Sequence, residues 1–194
     1  MPPGTRGAFA GLPDMTRIGT RTARFAVAAA LAAFGMTTAS AELATGTKAP
    51  AFTTRAALAG KEFGFALSAA LAKGPVVLYF YPKAFTSGCT LEANAFAEAM
   101  PAFKAFGASV IGMSGDDIAT LKRFSREECR DAFPVGVASP QVIAAYDVAM
   151  GTSGLTTRTS YVIARDGRIV AVHSNADYRG HVEKTLAAVR ALKR

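Results

Sequence analysis

The group best placed to do chemistry in this chain is a thiol at the start of a helix. Residues 82–92 read Pro82-Lys83-Ala84-Phe85-Thr86-Ser87-Gly88-Cys89-Thr90-Leu91-Glu92. They follow the apolar run Val76 to Tyr81 and lead into a helical apolar spacing, so Cys89 falls in a first helical turn after a strand and a loop. The nucleophilic form of cysteine is the thiolate, and an ordinary thiol is only a few per cent ionised at neutral pH. Free backbone N–H groups and the positive end of the helix dipole favour an anion at this place. Gly88 permits close backbone approach. Thr86, three residues before the thiol, is spaced to turn its hydroxyl toward the sulfur or its substrate. On position alone, Cys89 is either a reactive thiolate or an inert, buried small hydrophobe.

The elements that must carry this segment follow from periodicity and turn residues. Leu43 to Pro50 reads as an extended arm, and Phe52–Ala57 with Glu62–Ala66 as a small hairpin about Gly60. Ser68 can cap a short helix through Leu71 that Gly74-Pro75 stops. Val76–Tyr81 and Ser109–Ser114 read as strands buried on both faces. Between them a helix is expected from Cys89 to about Phe106, with Leu91, Phe96, Met100, Phe103 and Phe106 on one side and Pro101 kinking it or ending its first half. Asp116 or Asp117 caps a helix from Ile118 to about Arg130, Phe133–Val137 is a short strand, and Ser139-Pro140 opens another helix. Tyr161–Ala164 and Ile169–His173 form a hairpin through Asp166-Gly167, and a last helix spans about Tyr178 to Leu192. Strands alternating with helices and then a hairpin imply an α/β domain, a mixed central sheet flanked by helices.

Composition bounds the rest. The chain has 194 residues, 51% of them hydrophobic, a one-domain length with a sizeable core. Two cysteines, Cys89 and Cys129, exclude a disulfide scaffold and a four-thiolate zinc site. His173 and His181 lack neighbours at ligand spacing and read as surface or strand-end residues, so no metal or other cofactor is expected. The formal charge of +8 is spread without a basic cluster, which argues against nucleic-acid binding. Arg17, Arg21 and Arg24 precede the uncharged run Phe25–Met36 and the small-x-small triplet Ala39-Ser40-Ala41, a secretory signal pattern over 15–41. Twelve apolar residues are too few to span a bilayer. Export to the periplasm is the expectation, with an uncleaved anchor or an organelle transit peptide as alternatives. Residues 1–14 are an over-long start before Met15 or a disordered leader, so the domain is taken as 42–194.

Pro82, Thr86 and Cys89 match the P-x-x-x-T-x-x-C pattern of peroxiredoxins, and the stretch YFYPKAFTSGCTLEA resembles the peroxiredoxin Q, or bacterioferritin comigratory protein, branch. Gly46–Phe52, Val110–Ser114, Arg158–Ile163 and Asp166–Ile169 resemble further segments of that family, so the likeness spans about residues 46–192. It implies a thioredoxin-like fold with a small N-terminal β-hairpin. It also implies a thiol-dependent peroxidase that reduces hydrogen peroxide and organic hydroperoxides through a cysteine sulfenic acid. Cys89 would be the peroxidatic residue, Thr86 and Arg158 its partners in holding peroxide, and Pro82 the shield of the pocket. Glu92, one turn from Cys89, either orders Arg158 or simply favours the helix start by its charge. Tyr79 reads as core. A thioredoxin-like or small-thiol reductant would recycle the enzyme, which is expected to be a monomer or weak dimer, without a membrane partner once the signal is removed.

The sequence departs from that branch in two places. Asn94 stands where many members carry a resolving cysteine, and Ser87 replaces a usual proline. The remaining thiol, Cys129, is expected near the end of the helix ending at Arg130, in polar and partly exposed surroundings. Either Cys129 resolves Cys89 after local unwinding, or an outside thiol does so and Cys129 is a bystander. Two rival functions are weaker. A thiol–disulfide oxidoreductase on this fold needs Cys-x-x-Cys, and here the first position is Thr86. A non-catalytic holdase would demand none of Pro82, Thr86, Cys89 and Arg158.

Overall fold

The run Val76 to Phe80 is apolar and fully buried, and the sheet is built outward from it. The computed structural model describes residues 42–192, so the expected leader and signal segment, 1–41, lie outside the described residues. In chain order the elements are β1 (Thr53–Leu58), β2 (Lys61–Ala66), α1 (Leu67–Lys73), β3 (Val76–Phe80), α2 (Ser87–Ala105), β4 (Ser109–Ser114), α3 (Ile118–Glu127), β5 (Val135–Val137), α4 (Pro140–Ala145), β6 (Thr159–Ile163), β7 (Ile169–Ser174) and α5 (His181–Ala191). The order matches the alternation expected from periodicity.

The seven strands lie in the order β2-β1-β5-β4-β3-β6-β7. β3 runs parallel to β4 and antiparallel to β6, so the strand that feeds the thiol loop sits beside the strand that Arg158 precedes. Alternate residues divide the core. Val77, Tyr79 and Tyr81 face α2, α3 and α5, together with Phe96, Phe103, Phe124 and Val189. Val76, Leu78 and Phe80 face α1 and α4 on the other side, with Leu67, Leu71, Val142 and Ile143. The Tyr79 ring stacks on Phe96 with centroids 4.3 Å apart. A Cβ on Gly112 would fall 2.7 Å from that tyrosine ring, so β4 needs a glycine where it passes Tyr79.

Local expectations fail where tertiary packing decides. Helix α1 begins at Leu67 with Ala66 as its N-cap and no side-chain cap, because buried Leu67 and Leu71 set its phase; Ser68 lies inside it. Pro101 does not end α2, which continues to Ala105. Proline deletes one donor, and Pro101 itself sits on the exposed side of the helix. Leu91 is 49% exposed rather than on the core side. Helix α3 stops at Glu127, so Cys129 lies beyond it, and that residue is fully buried instead of partly exposed. The residues around Cys129 are polar, but its own side chain turns into the cluster of Phe124, Phe133 and Val135. Helix α5 begins three residues later than expected, at His181 after Gly180, whose φ of 92° suits glycine.

Candidate active site

The thiol loop is pinned at both ends. The Tyr81 carbonyl accepts from Thr156 Oγ1 at 2.8 Å, and the Ala84 N–H donates to Asp116 Oδ2 at 2.7 Å. Ser114 Oγ donates to the same carboxylate oxygen at 2.8 Å. Sequence offered Asp116 and Asp117 equally as helix caps. The structure separates them: Asp117 Oδ1 accepts from the Thr120 N–H at 2.7 Å and caps α3, while Asp116 holds the loop. Just past the second anchor, Phe85 has φ 62°, a left-handed conformation costly for a residue with a bulky side chain. Its ring meets Phe124 edge-on at 5.2 Å and lies under the Arg123 guanidinium at 5.0 Å.

Cys89 is the third residue of α2, 2% exposed and free. Arg158 brings its guanidinium to it from the segment just before β6: Nη2 lies 3.4 Å from Sγ, Nε donates to the Ala176 carbonyl at 3.0 Å, and Nη1 pairs with Glu92 Oε2. All three partners use the planar donor fork of arginine, which a lysine would not reproduce. A Cβ on Gly88 would lie 3.3 Å from Arg158 Nη2, so the close approach that Gly88 allows is to this arginine.

Glu92 is fully buried. Burial pushes its carboxyl up to about 8, against the pull of Arg158. For Arg158, burial works against the charge, but Glu92 and Cys89 outweigh it and hold the guanidinium above its usual value. Of the two roles open for Glu92, the ion pair with Arg158 favours the ordering of that arginine.

The other expected residues are placed less directly. Thr86 is the N-cap of α2 through its backbone, and its hydroxyl donates to the Lys83 carbonyl at 3.0 Å rather than facing the sulfur. Pro82 lines a pocket of about 240 Å³ with Met150, Thr157, Arg158, Ser174, Asn175 and Ala176. Tyr79 is core, as expected. Cys129 is unbonded, and burial first, then Glu128 and Asp131, push its thiol well above the ordinary value.

One group was missed. His181, expected at the surface, is fully buried behind Glu92: Nδ1 lies 3.6 Å from Glu92 Oε1 and 2.8 Å from Ser160 Oγ. A sequence signal existed for its partner. Arg158 and Ser160 are two apart on an extended segment and therefore share a face. Nothing local pointed the histidine at them, because the contact spans from α2 to α5.

Comparison with known proteins places the chain in a family. Residues 45–172 match the family model described as the AhpC/TSA family. Chloroplastic peroxiredoxin Q of Oryza sativa subsp. japonica is 35% identical over 150 residues, covering 76% of this chain and 67% of that protein. The crystal structure of peroxidoxin BcpB from Mycobacterium tuberculosis superposes with a TM-score of 0.70 at 34% identity, over 77% of this chain and 98% of that one. The bacterioferritin comigratory protein of Xanthomonas campestris, in structures concerned with alkyl peroxide reduction, gives a TM-score of 0.63 at 28% identity, over 72% and 92% of the two chains. The sheet and its helices are those of the thioredoxin-like fold. With the match extending over most of the described residues and over nearly the whole of a relative one-third identical, the chain belongs to the AhpC/TSA family and is a peroxiredoxin, a thiol-dependent peroxidase.

Proposed function

We propose that Cys89 is the peroxidatic residue, with Arg158, Thr86 and Pro82 forming the peroxide site and Glu92 orienting Arg158. The observation that carries this assignment is the 3.4 Å approach of Arg158 Nη2 to a sulfur in the first turn of α2. The thiolate attacks one peroxide oxygen; an S–O bond forms as the O–O bond breaks, and the departing oxygen takes the bonding pair. After gaining a proton it leaves as water or an alcohol, with sulfur oxidised to a sulfenic acid and the peroxide reduced by two electrons. Arg158 stabilises negative charge first on sulfur and then on the departing oxygen, from a site where little water competes. Thr86 reaches the peroxide by turning its hydroxyl away from Lys83. Half-buried Pro82 and exposed Met150 make one wall of the pocket apolar, which suits organic hydroperoxides as well as hydrogen peroxide.

For the second half of the cycle, the burial of Cys129 favours resolution by an outside thiol, thioredoxin-like or small. That thiol attacks the sulfenic sulfur and releases water, and a second thiol then attacks the outside sulfur of the mixed disulfide, which expels Cys89 as its thiolate. A second reading has its own support. Cys129 belongs to the same buried cluster as Cys89, and Arg130 and Asp131 after it have φ 53° and 58°. Two adjacent non-glycine residues in the left-handed region store strain that local unwinding would release, exposing Cys129 to resolve Cys89 in a disulfide. We further propose that residues 15–41 direct export, to the periplasm, where the protein acts as a monomer or weak dimer. Organelle import is the alternative that fits the chloroplastic relative.

The test is the intact mass of reduced protein after one equivalent of hydrogen peroxide, with free thiols counted. Gain of oxygen with Cys129 still free supports the outside-thiol cycle. Loss of both thiols and two hydrogens supports the Cys89–Cys129 bridge. No change in either would remove Cys89 as the peroxidatic residue. The N-terminal residue of protein recovered from the periplasm tests the export signal.

A further inference from the structure

Behind Arg158 lies a row of buried polar groups that the reaction at Cys89 does not itself use. Glu92 Oε2 is taken by Arg158, but Glu92 Oε1 is buried without a hydrogen-bond partner. The group facing it, 3.6 Å away, is His181 Nδ1. The other contacts of the ring fix its protonation. His181 Nε2 lies 3.1 Å from the Asn175 carbonyl, which can only accept, so Nε2 carries the hydrogen. In the neutral ring Nδ1 is then a lone pair, which Ser160 Oγ–H fills from 2.8 Å.

An ionised Glu92 would thus turn an unpaired carboxylate oxygen toward a lone pair, in a place that water does not reach. One proton within the pair removes the conflict, on Glu92 Oε1 directed at the ring or on Nδ1 directed at the carboxylate. Either way Glu92 and His181 are together neutral, and neither cancels the charge of Arg158. We propose that His181 is a positioning residue of the peroxidase site, which with Ser160 retains one proton in the Glu92–His181 pair and so leaves the charge of Arg158 to the Cys89 sulfur.

The surroundings favour the proton on the carboxyl. From β7, His173 lies with its ring 4.4 Å from that of His181. From α5 itself, Lys184 Nζ lies 3.3 Å from His173 Nδ1. Arg158 approaches from just before β6, and Glu92 of α2 is the acidic group against the ring. Burial first, then His173, Arg158 and Lys184, hold the His181 imidazole down to about 4, outweighing the bond to Asn175, while burial lifts Glu92 to about 8. The resting site is therefore a neutral carboxyl between a cationic guanidinium and a neutral imidazole.

The inference rests on Cys89 being the peroxidatic thiol, and the first experiment does not depend on peroxide. Reduced protein labelled with ¹⁵N-histidine is titrated by NMR from pH 5 to 9.5, with His173→Asn used to assign the two rings. The expected result is a neutral His181 ring protonated at Nε2 at neutral pH. Its shifts step near pH 8 as Glu92 ionises, and Glu92→Gln abolishes that step. An imidazolium that titrates like a free histidine, or a step that persists in Glu92→Gln, overturns the proposal. The second experiment is the single-turnover rate of Cys89 oxidation by hydrogen peroxide. His181→Leu is expected to slow it about tenfold, the scale of losing an outer partner of a reacting group, with part of the rate restored by His181→Asn, which returns a polar atom at the Nδ1 position. A folded His181→Leu protein that reacts at the wild-type rate overturns the proposal. If His181→Leu does not fold, the NMR titration decides. Failure of wild-type protein to consume peroxide would instead strike at the assignment of Cys89.

Discussion

Cys89 and Cys129 belong to one buried cluster, yet their surroundings are opposite in sign. Cys89 lies in the first turn of α2, at the positive end of a helix dipole, with the Arg158 guanidinium 3.4 Å from its sulfur. Cys129 lies two residues past the end of α3, at the negative end of a dipole, with Glu128 and Asp131 as its charged neighbours. Both side chains are almost or wholly shielded from water, so burial does not distinguish them. The difference lies in what each thiolate would face. At Cys89 the negative charge meets a cation and free amides; at Cys129 it meets carboxylates and helix-end carbonyls. One cluster therefore holds two thiols whose anions would meet charges of opposite sign.

Replacing each cysteine breaks this comparison most directly. Cys89→Ser should lower peroxide consumption by roughly four orders of magnitude or more, the scale of removing a nucleophile. Cys129→Ser, measured on the first oxidation step alone, should lose no more than about threefold. Stopped-flow oxidation at one peroxide equivalent separates the two, and equal losses would show that the two thiols act as a unit.

Removing the cation comes next. Arg158→Ala should slow oxidation by about 10²–10³-fold, as loss of a preorganised donor to a developing oxyanion does. Arg158→Lys should recover only part, because a point charge cannot serve Cys89, Glu92 and the Ala176 carbonyl together. Circular dichroism must show both variants folded. A folded Arg158→Ala protein with the full rate would leave the dipole of α2 as the sole activator.

Alkylation with iodoacetamide sharpens the contrast without altering a residue. In native protein at neutral pH, Cys89 should be labelled about 100-fold faster than Cys129, since the thiolate is the reacting form. In denaturant the two rates should converge. Rapid native labelling of Cys129 would mean that the strained segment at Arg130 and Asp131 opens readily, in favour of the intramolecular cycle.

Much of this was legible in the residues. The strand Val76–Phe80, the loop and the helix that starts beside Cys89 follow from apolar runs and turn chemistry, signals confined to a few neighbours. The Asp-Gly turn between β6 and β7 is equally local, and Gly167 takes the φ of 81° that such a turn needs. What escaped depends on contacts across the chain. Polar neighbours around Cys129 suggested exposure, but the direction of a side chain after a helix end is set by the cluster it joins. His181 looked solitary because Glu92 and Ser160 reach it from elements 89 and 21 residues away. Asp116 and Asp117 were indistinguishable as caps until the loop at Ala84 claimed one of them.

The pH dependence of stability should separate the two regions along one axis. Glu92 is held at about 8 in the folded chain against an ordinary 4.5, so the folded state keeps a proton that the unfolded chain has released. That contribution is present at low pH and is lost as pH rises toward 8. His181 is held at about 4 against an ordinary 6.5, so the folded state refuses a proton that the unfolded chain accepts, and stability is lost as pH falls below 6.5. His173, lowered chiefly by burial, adds to that loss. Between 4.5 and 6.5 Glu92 and His181 oppose one another, leaving the slope that His173 adds. Between 6.5 and 8 Glu92 acts alone, at about 1.4 kcal/mol per pH unit for one proton, or about 2 kcal/mol across the window. Cys129, raised above its ordinary 9.0, acts only higher: above pH 9 the unfolded thiol ionises while the buried one does not, and stability falls again. Urea midpoints measured from pH 5 to 10 should therefore show two declines, the first removed by Glu92→Gln and the second by Cys129→Ala. A single decline untouched by Glu92→Gln would mean that Glu92 is ionised in the folded chain, with its charge spent on Arg158 rather than withheld from it.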